Sequence, residues 1–343
     1  MRSKGIPKSA IWLNRFAWFT AVATLLLICS GGMVTSKGVG LAVPDWPTTF
    51  GYNMFLFPAS QWIGGIFFEH THRLIASTVG FLTIILAAWL WFADPRRCVR
   101  MLGIAAVGAV ILQGVLGGLR VTMLKDEIGI FHACLAQAFF GLIVIIALVT
   151  SRSWRAVVAV AGRGKSLRVI ALTTTAFIYL QLALGATMRH QHRDLAITDF
   201  PTAYGQWIPD ASAAAIAKIN AARDTTGMSD VSAAQIWLQM AHRFGAVLIA
   251  IGVIWFFVSA HREKISPLAG LSTAWLIGVL VQLTLGAWTI WSNKAADVAT
   301  THVAVGATLL GLGAVICAFC FRQNEKPSAF PSSHQLKSDP VIA

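Results

Sequence analysis

The amino-acid sequence predicts an all-α membrane protein: eight transmembrane helices forming two parallel-repeat four-helix bundles related by pseudo-two-fold symmetry. Three observations predict it. The chain of 343 residues is 56% hydrophobic and only 12% charged, with a mean hydropathy of +0.68, where a soluble domain carries about 25% charged residues. Its charges cluster between apolar runs of about 20 residues, the length needed to cross a bilayer. Its landmarks also repeat: His72 and His242 lie 170 positions apart, and so do His132 and His302.

The apolar runs fall at approximately 16–36, 70–92, 101–121, 129–150, 167–188, 237–259, 268–291 and 299–321. Four spans per repeat is an even number, which keeps both halves in the same orientation. The expected organisation is an N-terminal half over 1–150, a linker over 151–166, a C-terminal half over 167–322 and a polar tail over 323–343. The first run, from Phe16 to Thr35, is long enough to span and shows no cleavage site, so it is expected to stay as an uncleaved helix. No Arg- and Ser-rich transit peptide precedes it, which favours a bacterial cytoplasmic membrane.

Orientation follows from Lys and Arg. With the N-terminus inside, the inner segments hold Arg2, Lys4, Lys8 and Arg15, then Arg96, Arg97 and Arg100, then Arg152, Arg155, Arg163, Lys165 and Arg168, then Arg262 and Lys264, and finally Arg322, Lys326 and Lys337. The inner acids are only Asp94, Glu263, Glu325 and Asp339, so the net charge of +13 lies on that side. It reads as a topology signal with both termini cytoplasmic, and nucleic acid is not an expected partner. Cys29, Cys98, Cys134, Cys317 and Cys320 all lie outside the predicted outer loops, so no outer-face disulfide is expected. The Cys317-x-x-Cys320 spacing falls in an apolar span and reads as two small buried residues.

The outer loop over 36–68 carries a turn, Asp45-Trp46-Pro47, that returns as Asp199-Phe200-Pro201 at an offset of 154. The second loop is therefore longer by 16 residues, and its Ala211–Arg223 stretch suits a short surface helix. Trp46, Trp62, Trp207 and Trp237 suit the membrane interface, with capping of a ligand as the functional alternative. Gln113, Gln181 and Gln282 each precede a Leu-Gly pair by three positions. Small residues let helices approach and a Gln amide can bond across the contact; lining a cofactor pocket is the other reading.

The four histidines carry the chemistry. His72, His132, His242 and His302 fall near the outer ends of spans two, four, six and eight. Two histidines from two helices of a bundle can hold a haem iron from both sides. Ligation needs a neutral imidazole, which burial and a helix N-terminus both favour. Tetrahedral zinc fits less well, because each half offers two ligands and no accompanying cysteine. Arg73 and Arg243 directly follow two of these histidines. They suit haem propionates, or else they snorkel to the headgroups. Glu69 lies three residues before His72 on the same helical face, where the second half has Gln239. A glutamate can act as a base and a glutamine cannot, although an acid at a helix N-terminus is also favoured by the dipole. His70 points roughly 200° away from His72 and cannot share its iron. His190 and His192, beside Arg189 and Arg193, are expected to be solvated in the outer loop; His261 falls in an inner loop and His334 in the tail.

On these residues the chain resembles the haem A synthase family, in a subtype without the outer-loop cysteine pairs of many bacterial members. The resemblance runs roughly from Trp12 to Phe321 and rests on Glu69-x-x-His72-Arg73, Gln239-x-x-His242-Arg243, His132, His302 and the two four-helix halves. It implies that His242 and His302 ligate a haem b cofactor, that His72 and His132 frame the site for haem O, and that Glu69 is catalytic. The implied reaction turns the C8 methyl of haem O into a formyl, giving haem A for terminal oxidases. That change removes four electrons and adds one oxygen. Expected partners are haem O, membrane lipid, a haem O synthase and a membrane electron acceptor, with oligomerisation left open. A quinol-linked di-haem electron carrier would explain all four histidines but not the difference between Glu69 and Gln239. A transporter with parallel repeats is the third reading; the absence of Pro from the span interiors counts against it.

Overall fold

Away from water a lone segment must satisfy its own backbone hydrogen bonds, so long apolar runs fold as helices. The computed structural model describes residues 8–156, 165–191, 195–264 and 266–322. The expected tail over 323–343 with His334, most of the expected linker, and His192 and Arg193 lie outside the described residues, as do the inner cations Arg2, Lys4 and Arg163. The helices are α1 (Lys8–Ser36), α2 (Gly64–Ala93), α3 (Arg97–Met123), α4 (Asp126–Thr150), α5 (Arg152–Ala156), α6 (Lys165–Gln191), α7 (Ala213–Asp224), α8 (Ala233–Arg262), α9 (Leu268–Trp291) and α10 (Ala296–Phe321). No strand occurs among the described residues. All but α5 and α7 are long and apolar enough to cross a membrane, giving the eight spans and the all-α, multi-pass class read from the sequence.

Most spans extend past their apolar runs. The difference that bears on the site is at α2, which starts at Gly64, six residues before the expected start at His70. Gly64 takes φ +53°, a left-handed backbone that suits glycine, and Ile66, Phe67 and Phe68 then fill the first turns. Glu69 thus stands beyond the first turn, where the helix dipole has faded, so the dipole does not account for it.

Packing follows the duplication. In the first half α1 packs on α2 and α4, α2 on α3, and α3 on α4; in the second, α6 packs on α8 and α10, α8 on α9, and α9 on α10. The halves meet where α4 lies against α10, flanked by α1 on α10 and α6 on α4. Accordingly the most apolar stretches of α4 and α10 are 50% and 56% buried, against 17% for α3. Buried Phe140 and Val144 of α4 meet Gly311 of α10 in this seam. At its centre a Cβ on Gly311 would stand 3.1 Å from Cε1 of Phe140, so a bare backbone lets the ring approach. Trp12, Phe92, Ile251 and Trp255 point outward and exposed, as a lipid-facing surface requires.

Both loops are built on the same turn. Asp45 Oδ1 accepts from the Phe50 amide at 2.8 Å, and its Oδ2 accepts from the Gly51 amide at 2.9 Å and the Thr48 hydroxyl at 2.5 Å. Asp199 takes the amides of Tyr204 and Gly205 at 2.7 and 3.0 Å and the Thr202 hydroxyl at 2.7 Å. In the longer second loop, α7 lies within two residues of the expected Ala211–Arg223 stretch. Ser212 caps it, and buried Arg223 ties it down through the carbonyls of Leu195 and Ser229 at 3.0 and 2.7 Å.

Candidate functional site

His72, His132, His242 and His302 sit six to nine residues from the starts of α2, α4, α8 and α10, roughly 9–14 Å along each axis at 1.5 Å per residue. Those four starts share the end of the bundle that carries the two long loops. The structure therefore brings the sequence's four histidines to one end and one depth.

Each imidazole leans on a glycine of the preceding span. A Cβ would stand 3.0 Å from Cε1 of His72 if built on Gly31, 3.2 Å from that of His132 on Gly117, 3.4 Å from that of His242 on Gly185, and 3.2 Å from that of His302 on Gly286. The Leu-Gly pattern downstream of each Gln thus marks ring contacts, and Gly31 completes a fourfold set that the Gln pattern alone does not reach. Two of the glutamines fasten the same rings' helices: Gln113 Nε2 donates to the carbonyl of His132 at 2.9 Å, and Gln181 Nε2 to that of His242 at 2.6 Å. Gln282 Nε2 lies 3.5 Å from Nε2 of His302 itself.

All four rings are half-buried, and the Nδ1 of each is buried with no hydrogen-bond partner. Four orphaned ring nitrogens at equivalent positions are costly as plain packing, because a buried polar atom without a partner costs about 1–3 kcal/mol. The ring centroids of His242 and His302 are 6.5 Å apart at an interplanar angle of 59°. Two imidazoles on opposite sides of one metal, each with a metal–nitrogen bond of about 2.0–2.1 Å, place their centroids roughly 6 Å apart. No three His, Cys, Asp or Glu groups converge on a metal position among the described residues, and His242 and His302 are the pair whose spacing suits two ligands on one iron. The donor set fits a haem iron.

Glu69 is 4% exposed, with both oxygens engaged: Oε2 accepts from the Val43 amide at 2.9 Å and Oε1 from Arg73 Nη2 at 2.8 Å. Gln239 is 3% exposed and takes both the amide and the carbonyl of Ile197, each at 2.9 Å. Val43 and Ile197 are equivalent at the loop offset of 154. Both residues thus fasten a loop to a helix, but only Glu69 does so as a titratable group.

Arg73 and Arg243 turn toward the loops. Arg73 donates to the carbonyls of Asp45, Thr48 and Val43 at 2.7, 3.0 and 2.8 Å. Arg243 donates to those of Asp199 and Thr202 at 2.6 and 2.8 Å, and its Nε is buried without a partner. Each arginine therefore holds the repeated turn beside its histidine pair. His70, fully buried, is packed by the rings of Phe57 and Trp62 at 5.0 and 4.8 Å and anchors the first loop.

Trp46 reaches inward: a Cβ on Gly118 would stand 2.4 Å from its ring, one residue past the glycine under His132. The second half has Ala287 at that position, and Phe200, the counterpart of Trp46, packs instead on Trp291 at 5.9 Å. Of the four interface tryptophans, Trp46 and Trp62 thus contact the first half's interior, while Trp207 stays 75% exposed.

One expectation needs correcting. His190 is not a solvated loop residue: α6 runs to Gln191, and His190 sits half-buried in its last turn, with Nδ1 2.7 Å from where a Cβ of Gly129 would be. Arg120 of α3 borders the same glycine, with its Nε 3.2 Å from that position. Sequence reasoning read His190 as solvated and passed over Arg120. The available signal was that neither repeats: Thr289 and Ser36 stand at the equivalent positions.

Fold and site together define a duplicated, polytopic helical membrane protein with two histidine pairs at one end. The chain belongs to the cytochrome oxidase assembly protein family, whose model matches residues 64–313 and takes in all four histidines. Among curated relatives it is 27% identical over 259 residues to the heme A synthase of Shouchella clausii, covering 72% of this chain and 75% of that protein. It is 25% identical over 322 residues to the heme A synthase of Lysinibacillus sphaericus, covering 91% and 97%. It is 27% identical over 322 residues to that of Shewanella oneidensis, covering 87% and 93%.

Proposed function

We propose that the protein is a haem A synthase, an oxidoreductase that converts the C8 methyl of haem O into the formyl of haem A for terminal oxidases. The observation that carries this reading is the pair of equivalent histidine sites whose neighbouring acid differs, Glu69 in one half and Gln239 in the other. Two identical electron-carrying sites would have no use for that difference.

In this reading the chain divides as the sequence suggests, with the substrate site in the half ending at 150 and the cofactor site in the half beginning near 167. His242 and His302 hold haem b, and Arg243 keeps Nε for one of its propionates. His72 and His132 hold haem O. When bound, haem b supplies one-electron transfer between the substrate and an external acceptor. Gly31, Gly117, Gly185 and Gly286 set the ring orientations, while Gln113 and Gln181 fix the backbone beneath two of them. Trp46 and the two turns, held by Arg73 and Arg243, cover the sites and limit water. Glu69 accepts a proton from the substrate methyl or from the attacking water, and Arg73 and the Val43 amide hold its carboxyl in place for that transfer. The positive-inside distribution supports the reading in which both termini face the cytoplasm and the histidines lie toward the outer face of a bacterial cytoplasmic membrane. A membrane electron acceptor and a haem O synthase are the partners this chemistry calls for.

The test is expression in cells that make haem O but no haem A. Appearance of haem A in extracted pigments, seen by chromatography with mass detection, supports the assignment. Haem O left unchanged by folded, haem-loaded protein would overturn it.

A further inference from the structure

A substrate with two propionates needs a cation, and the arginine next to the substrate histidines is already committed. Both terminal nitrogens of Arg73 go to loop carbonyls and Glu69. Arg120, in the last turn of α3, is different. Among the described residues its guanidinium makes no hydrogen bond and joins neither ion pair, although the residue is half-buried. Glu69 and Asp126 lie within Coulombic range of it but not at ion-pair distance. A charge drawn partly out of water without a counter-ion is unfavourable, so the position suits an anion from outside the protein.

Two glycines place this guanidinium. A Cβ on Gly40 would stand 2.9 Å from its Nη2, and one on Gly129 3.2 Å from its Nε. Gly129 lies three residues before His132, so it shares that face of α4 one turn nearer the loop end. His190 enters the same spot from α6, in the other half of the chain. A cation and an imidazole thus converge one turn beyond a substrate histidine. The second half has no such pair, because Thr289 and Ser36 occupy the equivalent positions and Ala299 replaces Gly129.

We propose that Arg120, with His190 beside it, receives a propionate carboxylate of the macrocycle held between His72 and His132, and that this distinguishes the substrate site from the cofactor site. The inference rests on the haem A synthase reading and adds its carboxylate-binding residues. Guanidinium and carboxylate form charge-assisted, often bidentate hydrogen bonds, which reward a free acid over its ester.

The experiment titrates the purified full-length, haem B-loaded protein with haem O and with its dipropionate dimethyl ester, following the absorbance change on histidine ligation. The wild type should bind the acid roughly tenfold to a hundredfold more tightly than the ester. Arg120→Gln should bring the acid down to the level of the ester and leave haem B content unchanged. Arg120→Thr, which copies the second half, should do the same and serves if the Gln variant loses haem B. Either variant that keeps haem B and still prefers the acid as the wild type does overturns the proposal. Failure of the underlying reading shows elsewhere: the wild type would then bind neither form in a way that His72→Ala abolishes.

Discussion

The carboxylate of Glu69 accepts the amide of Val43 at 2.9 Å, so the group assigned to move a proton also fastens the first loop to α2. Gln239 makes the same contact with Ile197 and shows that an amide side chain suffices for the fastening. Glu69→Gln should therefore keep the loop and the bound haems while conversion of haem O falls roughly 10²–10⁴-fold, the usual contribution of a general base. Product chromatography at matched haem content checks this. A Gln variant that converts haem O at the wild-type rate would leave Glu69 with the fastening role alone.

The glycines under the rings should differ in tolerance. A Cβ on Gly31 meets His72 at 3.0 Å, while one on Gly185 meets His242 at 3.4 Å, an ordinary contact. Overpacking costs about 1–3 kcal/mol where neighbours cannot yield. Gly31→Ala should weaken haem O binding by about tenfold or more and leave haem B in place, whereas Gly185→Ala should keep near-normal haem B. Spectroscopic titration of both variants measures the contrast, and equal losses would contradict it.

The turn under the first loop has a pH signature. Burial opposes ionisation of Asp45, but donors from Gly51, Thr48 and Phe50 outweigh it and hold the carboxyl below its ordinary range. Because the folded value is the lower one, the turn's stabilisation is complete above the unfolded value of about 3.9. It is lost as the pH falls through the folded value. Asp45→Asn should thus lower the thermal midpoint by a constant amount at neutral and mildly acidic pH, and the gap to the wild type should close only in strong acid. A gap that opens on acidification would have the wrong sign.

Orientation can be read from one thiol. Cys98 is exposed at the start of α3, opposite the loop end, whereas Cys29, Cys134, Cys317 and Cys320 are half-buried or buried within spans. A membrane-impermeant maleimide should label Cys98 in inverted vesicles and not in intact cells. Labelling of intact cells would turn the protein over in the membrane.

The spans and the four histidines were legible because both are linear signals: an apolar run reports a helix directly, and a fixed offset reports equivalence. The repeated turn around Asp45 and Asp199 was legible for the same reason. The roles of Arg73 and Arg243 were not, since nothing local says that their guanidiniums meet carbonyls some 25–44 residues away. His190 read as solvent-exposed because its neighbour Gly129 belongs to the other half of the chain. The start of α2 at Gly64 was hidden by a loop rich in the same apolar residues as the helix. Long-range packing decided each of these, and pattern and propensity do not encode it.

The central claim is that the two histidine pairs hold different haems, one a cofactor and one a reacting substrate. The most direct measurement is the pigment content of purified His302→Ala and His132→Ala proteins from cells that make haem O. The account predicts that His302→Ala loses haem B and keeps haem O or its oxidised products, and that His132→Ala does the reverse. Loss of the same pigment from both variants, or haem B alone in the wild type, would contradict it.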